Sequence, residues 1–372
     1  MKIPKINYIW QLTIIMLLLK TSFEASNCIN PPAIVDTFLT VGASFIVAYQ
    51  IISKRYSKDI LIGYAAIGFL ALLTSYNTGT MIILISVLAI ISIKDVDLDD
   101  VIRFIYSYEM LFLLINTLYA IILSVITDYS LSTVINGVVR YHFGMGHPNR
   151  FSVYLFNIII MWIWLNYDRL HKNHLFIIAA ISAINYYFTI TRTNTIATAV
   201  VLLLLVFMKK IGKDKSDRIA TLAKWAVPVV SVSNIGAIYL FIAGNPFVNT
   251  LNTLLSDRIR LGSYGLTFYG PTILGQAVEY GKVQWDNIWQ LNYFTSDNIY
   301  SFFLFNIGLV WLVLISIGFY KLAQRKDNRI NFCIIMWAIY GITEVQGTNV
   351  FLLFPLLILG CLFSNREDYI SE

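Results

Sequence analysis

Charge is what this chain has least of. Asp, Glu, Lys and Arg make up only 13% of its 372 residues, about half the share of a soluble globular domain. That scarcity argues against a soluble fold. Together with 58% hydrophobic residues, it points to a multi-pass membrane protein. Cysteine is almost missing: Cys28, Cys333 and Cys361 are far apart and none forms a CxxC pair. A disulfide framework and a thiolate metal site are therefore excluded. There is no phosphate-binding GxxxxGK[ST] loop, no GxGxxG turn, no HExxH pair and no Asp-rich metal motif, which argues against an ATP-driven pump. The acidic run KDVDLDD at 94–100 reads as the capped, solvated start of a helix. No tandem repeat or Gly/Ser linker divides the chain, so residues 1–372 read as a single integral membrane domain.

What the sequence has in abundance is apolar runs of about 15–25 residues, the length needed to cross hydrocarbon. They lie near 6–23, 33–52, 60–76, 80–93, 101–126, 151–166, 174–190, 194–208, 219–242, 298–319, 330–344 and 348–363. Backbone polar groups in lipid must be satisfied within the segment, so these are helices. The predicted fold is all-α and polytopic, with about twelve transmembrane helices. Two of the runs are weak: 80–93 is short, and 194–208 follows its predecessor with almost no loop. The basic, then apolar, N-terminus has the look of a secretory signal peptide. A second hydrophobic run follows directly, so it reads as an uncleaved first span.

Orientation follows from lysine and arginine. With the N-terminus in the cytoplasm, all but seven of the 27 basic residues fall on the inner side; the seven are Lys20, Arg140, Arg150, Arg192, Arg258, Arg260 and Lys282. The positive-inside rule thus predicts that both termini are cytoplasmic. The basic runs KKIGKDKSDR (209–218) and KLAQRKDNR (321–329) become orientation signals near anionic headgroups, not nucleic-acid sites. The same topology sends a shorter loop, 127–150, and a large one, 243–297, to the outer side.

The five outer arginines are the candidates for chemistry. Arginine near a membrane is costly and usually has a partner or a function, and its planar fork suits bidentate phosphate contact. For Arg140 and Arg150 a headgroup contact or an internal pair explains as much; for Arg192 and Arg258 a role in function is favoured. In GMGHPNRF, Gly144 and Gly146 permit tight backbone, Pro148 suits a helix start and Asn149 suits a cap. His147 can take a proton near neutral pH, with His142 as its competitor. His171 and His174 are cytoplasmic by topology. Asp297 and Asn298 stand where a span begins, which suits capping or contact with a sugar hydroxyl. Glu344 and Gln346 add polar groups at the end of span eleven. The aromatics Tyr264, Phe268, Tyr269, Tyr280, Trp285, Trp289 and Tyr293 form either an interfacial belt or a stacking platform for sugar rings.

Four segments, in this order and spacing, resemble bacterial polysaccharide polymerases of the O-antigen polymerase and O-antigen ligase (Wzy-like) type. They are FGMGHPNRF before a span, TRTNT between two spans, LLSDRIRLGSYGLTFYGPTILGQ in the large loop and SDNIYSFFLFNIGL after it. The resemblance covers roughly the whole chain. It implies glycosyl transfer on the outer face of a bacterial cytoplasmic membrane, building capsular, exopolysaccharide or O-antigen-like chains. Undecaprenyl-pyrophosphate-linked oligosaccharides would be donor and acceptor, with no metal or nucleotide sugar. Membrane lipid, a flippase and a chain-length regulator would be its partners, and nucleic acid would not.

Carried over residue by residue, the resemblance gives pyrophosphate binding to Arg258 and Arg192, with Arg260 as the weaker candidate. It also gives site roles to His147, Asn149 and the adjacent Arg150, and to Asp297, Asn298 and Tyr300. The ligases place a candidate basic histidine in the large loop; residues 243–300 contain none, which favours a polymerase. Asp297, Glu279 and His147 stay open as the general base. The competing reading is a lipid-linked oligosaccharide transporter. It calls for charges inside the helices, where this chain has chiefly Asp36 and Glu109, and for an internal repeat, which is not visible.

Overall fold

The computed structural model describes residues 8–53, 58–94, 96–135, 137–211, 216–286 and 289–363. The expected cytoplasmic termini, with Lys2, Lys5 and Arg366, lie outside the described residues, as do Lys54, Arg55, Lys213, Lys215 and the side chain of Trp285. The regular structure of the described residues is helical apart from two two-stranded antiparallel ribbons. They form two compact units. The first comprises residues up to Ala65, Ile85–Leu203 and the residues from Val350 onward; the second comprises Ala66–Leu84 and Leu204–Asn349.

The first unit draws on α1 (Ile9–Ala25), α2 (Ala33–Ser53), α5 (Leu98–Ile126), α6 (Pro148–Leu165) and α7 (Lys172–Thr189), with parts of α3 (Lys58–Thr78), α4 (Ile82–Ser92) and α8 (Arg192–Ile211). Helix α5 shows how the sequence builds them. Asp97 caps it, its carboxylate accepting from the Asp99 amide at 2.8 Å, which is the capped start that KDVDLDD predicts. Val101, Ile105, Glu109, Leu113, Asn116 and Ala120 recur every three or four residues and are buried. Leu111, Leu114, Leu118, Ile122 and Val125 stay exposed. A helix apolar on both faces suits hydrocarbon rather than water. Beyond α5 the loop 127–150 closes into a hairpin of β1 (Ser132–Ile135) and β2 (Val138–Tyr141), with Gly137 at φ +75° in its turn.

The second unit packs α9 (Ser216–Ile242), α13 (Leu309–Ala323) and α14 (Asn328–Tyr340) together. The segment 243–297 is more than a loop. It holds α10 (Pro246–Leu254), α11 (Arg258–Tyr269) and a ribbon of β3 (Gly281–Asp286) and β4 (Leu291–Phe294), and leads into the short α12 (Ile299–Phe302).

Five helices are long and apolar enough to cross a membrane: Ala33–Ser53, Ile60–Thr78, Leu98–Ile126, Arg192–Lys210 and Ser216–Ile242. The other expected spans differ for local reasons. The run 80–93 gives only the 11-residue α4, roughly 16 Å at 1.5 Å per residue, against about 30 Å of hydrocarbon. The runs 6–23, 151–166 and 174–190 give helices of 17, 18 and 18 residues; the second opens on Pro-Asn-Arg and the third on Lys-Asn-His. The run 298–319 is broken: α12 passes into a π-turn, Phe303–Ile307, and Gly308 at φ +110° separates it from α13. The run 330–344 stops at Tyr340, and 348–363 is irregular until the 3-10 segment Phe354–Phe363.

Candidate functional site

In the first unit the GMGHPNR and TRTN segments meet. Gly144 (φ +83°) lies against α5 so closely that a Cβ would come within 2.8 Å of Asn116 Nδ2, Ala120 Cβ and Cys28 Sγ; only glycine fits. The Asn116 amide donates to the Phe143 carbonyl at 3.2 Å, and the Asn27 amide donates to the Gly144 carbonyl at 2.7 Å. The chain then enters α6 with Pro148 at N1, so the cap falls on His147, still extended at φ −150°, ψ 141°. Its Nδ1 accepts from the Asn149 amide at 3.1 Å. This corrects the expectation that Asn149 caps the helix: proline's fixed φ places the cap one residue before it. Asn149 is used differently. Its side-chain oxygen accepts from Asn194 Nδ2 at 2.9 Å, which ties the two motifs directly.

Arg150 is exposed, and its Nη1 donates to the Glu24 carbonyl at 2.7 Å, at the carbonyl-rich end of α1 where a cation is favoured. Arg192 is the first residue of α8, exposed, with no hydrogen bond or ion pair among the described residues. It follows Ile190, a β-branched residue held left-handed at φ +51°, a rare and strained conformation. Beside it a closed network of buried hydroxyls forms. Ser152 Oγ lies 3.1 Å from Thr189 Oγ1 and 2.5 Å from Thr191 Oγ1, and donates to Asn185 Oδ1 at 3.1 Å. Arg140 sits on β2 with its Nε enclosed and without an acceptor. His142 is buried, its Nδ1 accepting from the Gly144 amide at 3.2 Å. Burial, and secondarily the nearby His147, push its pKa down.

The acids that the sequence places inside helices are both engaged. Asp36 bonds the buried Lys20 ammonium, which also pairs with Glu24 at 2.9 Å. Glu109 accepts from Asn157 Nδ2 at 3.1 and 3.0 Å through its two oxygens.

In the second unit one short turn, Gly341–Glu344, gathers the other two motifs. The Gly341 carbonyl accepts from the Ile299 amide at 2.9 Å, the Ile342 carbonyl from Asn298 Nδ2 at 2.9 Å, and the Thr343 carbonyl from Arg258 Nε at 2.6 Å. Glu344, 3% exposed, places a carboxylate oxygen 3.9 Å from Arg258 Nη2. Arg258 Nη1 also donates to the Leu255 carbonyl at 3.2 Å. Arg258 opens α11 after two left-handed residues, Ser256 (φ +53°) and Asp257 (φ +65°). That turn is held by Asn252, whose Nδ2 donates to Asp257 at 2.9 Å and whose Oδ1 accepts from the Arg260 amide at 2.9 Å. The Arg260 guanidinium pairs with Asp257 at 3.1 Å, while its Nε is enclosed without an acceptor.

Asn298, 2% exposed, caps α12: its oxygen accepts from the Tyr300 and Ser301 amides at 2.8 and 3.1 Å, and its Nδ2 also reaches Asn234 Oδ1 at 3.1 Å. The cap is therefore Asn298 rather than Asp297. Asp297 is half-buried and accepts from Thr295 Oγ1 at 3.2 Å. Tyr300 is fully buried and its hydroxyl donates to the Ala338 carbonyl.

The stretch GPTILGQ locks onto the broken helix. Gln276 Nε2 donates to the Tyr269, Gly270 and Phe305 carbonyls, and Asn306 Nδ2 donates back to the Gln276 carbonyl at 2.8 Å. A Cβ on Gly308 would lie 2.4 Å from the Ile273 carbonyl oxygen. Backbone groups freed by the π-turn are thus satisfied by the neighbouring segment. Glycines 262 and 265 let α11 approach the same helix: a Cβ at Gly265 would overlap the Phe305 ring at 2.5 Å.

The aromatics of this region form a small core around Phe294, with Tyr264 at 4.9 Å, Tyr280 at 5.3 Å and Tyr269 at 6.1 Å between ring centroids. Phe268 and Tyr293 remain exposed. Among the described residues, no three His, Cys, Asp or Glu side chains are gathered as a metal site requires.

The turn 341–344 carries little sequence signal beyond an acid, Glu344, at the end of an apolar run. No protein-family model, curated protein or solved structure matches this chain.

Proposed function

We propose that this chain is a multi-pass membrane glycosyltransferase, with about twelve spans and both termini cytoplasmic, that polymerises lipid-linked oligosaccharide repeat units on the outer face of a bacterial cytoplasmic membrane. The observation that carries the reading is that two of its motif segments bond each other directly and the other two bond one shared turn. Asn149 meets Asn194 in the first unit, and Arg258 and Asn298 share the 341–344 turn in the second.

In the proposed reaction an acceptor hydroxyl attacks the anomeric carbon of the donor. The new glycosidic C–O bond forms as the bond to undecaprenyl pyrophosphate breaks, and the hydroxyl proton passes to a base. Arg258 stabilises the charge growing on the departing pyrophosphate, a role the resemblance gives to Arg192 as well. Arg150 and Arg260 add positive field. Asp297 is the better base, since its one hydrogen bond leaves acceptor capacity free. His147 is poorly suited to it. Its Nδ1 is the acceptor of the cap bond, so the neutral ring carries its proton on Nε2 and presents a donor. Asn149, Asn298 and Tyr300 hold the segments that carry these groups.

The test is a purified-protein assay with an undecaprenyl-pyrophosphate-linked repeat unit, lacking metal and nucleotide sugar. Long glycan ladders that vanish in R258A and R192A support the proposal; normal ladders in both variants overturn it. The broken helix 299–323 is the observation that favours the alternative, a lipid-linked oligosaccharide transporter, because discontinuous helices recur at transport sites. Substrate flipped across liposomes without any chain growth would decide for that alternative.

A further inference from the structure

Helix α10 has three faces, and only two are accounted for. At 100° per residue, Val248, Asn252 and Leu255 share one side. Val248 and Asn252 are buried at 2% and 5% exposure, and Val248 and Leu255 pack with Ile238 of α9 and Ile259 of α11. Asn249 and Thr253 lie on a second side, exposed and polar. On the third side Phe247 and Leu254, seven residues apart and so nearly in line, are 75% and 76% exposed. The helix carries no charge at all.

We infer that α10 lies in the membrane boundary, with Phe247 and Leu254 seated among lipid chains and Asn249 and Thr253 turned to water. Depth is what selects lipid as the occupant. Helix α9 is apolar and long enough to span a bilayer. Its last two turns, Ile235 to Phe241, pack against the cluster that holds Val248 of α10. Gly244 at φ +76° reverses the chain, Asn245 caps α10 by accepting from the Phe247 and Val248 amides, and Pro246 starts it. The helix is thereby folded back beside the end of the span rather than carried away from it. Tyr239 and Ile242 of α9 are exposed as well, so the end of the span also presents apolar side chains outward. Arg258 begins α11 directly after α10, which sets its guanidinium at headgroup level, where a lipid-borne phosphate resides. The inference rests on α9 spanning a membrane and is independent of the chemistry proposed above.

The experiment is site-directed spin labelling in lipid nanodiscs. Cys28, the one half-exposed cysteine, is replaced by alanine; Cys333 and Cys361 are buried. Nitroxides are placed singly at 247, 249, 253 and 254. Labels at 247 and 254 should relax faster with oxygen than with a water-soluble nickel chelate, and those at 249 and 253 the reverse. Nickel access at 247 and 254 would overturn the inference, and so would exclusion of both reagents there, which would mean a protein cover. Should the labelled proteins fail to insert, benzoylphenylalanine at 247 gives a second reading: photo-adducts with phospholipid support the inference, and adducts with a second copy or another protein refute it.

Discussion

Asn298→Ala separates a structural asparagine from a catalytic one. The parent side chain accepts from two amides at the start of α12 and donates to Asn234 Oδ1 and the Ile342 carbonyl, all at 2% exposure. Losing the cap costs about 1 kcal/mol. Each of the two acceptors left buried without a donor costs a further ~1–3 kcal/mol. The expected loss is therefore about 3–5 kcal/mol, taken from the lower part of those ranges. Asn298→Ser keeps a capping oxygen and should recover about 1 kcal/mol of it. The assay is thermal unfolding of purified protein in one detergent, followed by intrinsic tryptophan fluorescence, with activity measured on the surviving folded fraction. A melting temperature within a degree of the parent, with activity lost, would refute the structural assignment and return Asn298 to the reacting groups.

Three further outcomes are expected. Arg258→Ala removes the cation facing Glu344, which is 3% exposed. Removing one partner of a buried ion pair costs about 3–5 kcal/mol, so R258A/E344Q should melt above R258A while long glycans stay absent; equal melting would show that the 3.9 Å pair contributes nothing. Gly308→Ala places a Cβ 2.4 Å from the Ile273 oxygen at φ +110°, and left-handed strain alone costs about 1–3 kcal/mol. Its expression as folded monodisperse protein should collapse, whereas Gly63→Ala, with open space around it, should change nothing. His142 has its pKa pushed below 6.5 by burial first and His147 second, so the unfolded chain binds the proton more readily. Stability is then full above about pH 6.5 and declines as pH falls toward the folded value. His142→Asn should flatten that acid limb in melts taken from pH 7.5 to 5, and an unchanged limb would refute it.

The helical class was legible because apolar runs of span length leave few alternatives. Places where polar or glycine residues interrupt those runs were less so. Gly308 sits inside an apolar stretch, and hydropathy averages across it, so the break was invisible although SFFLFNIGL names the glycine. The β1–β2 hairpin has a usable signal, Asn-Gly between β-branched runs in STVINGVVRY, but it is too short to register in span-length hydropathy. Helix α11 was hidden by Gly262 and Gly265, which weaken helix propensity but permit the close approach to Phe305. At the site, residue identity was legible and role was not. His-Pro-Asn and Asp-Asn mark helix starts, yet which member caps depends on the local backbone: the structure puts the first cap on His147 rather than Asn149 and chooses Asn298 over Asp297 for the second. The carbonyls of Gly341, Ile342 and Thr343 have no sequence signature, since every residue carries one.

How Arg258 is held bears on what it can do. Two of its partners, the Thr343 and Leu255 carbonyls, are neutral. They fix the guanidinium plane without cancelling its charge, which is what preorganised electrostatic stabilisation needs. Glu344 opposes the charge from 3.9 Å, beyond hydrogen-bond length. In the proposed reaction a departing pyrophosphate would carry more negative charge than one carboxylate and grow more negative as its bond to the sugar breaks, so the arginine would interact more strongly with the transition state than with the bound donor. That difference, rather than tight binding, raises the rate. Arg192, exposed and without an internal counterion among the described residues, lacks this preorganisation. Its replacement should therefore weaken donor binding more than turnover, and Arg258 the reverse; steady-state KM and kcat for the two alanine variants decide it, and identical profiles would sink the distinction.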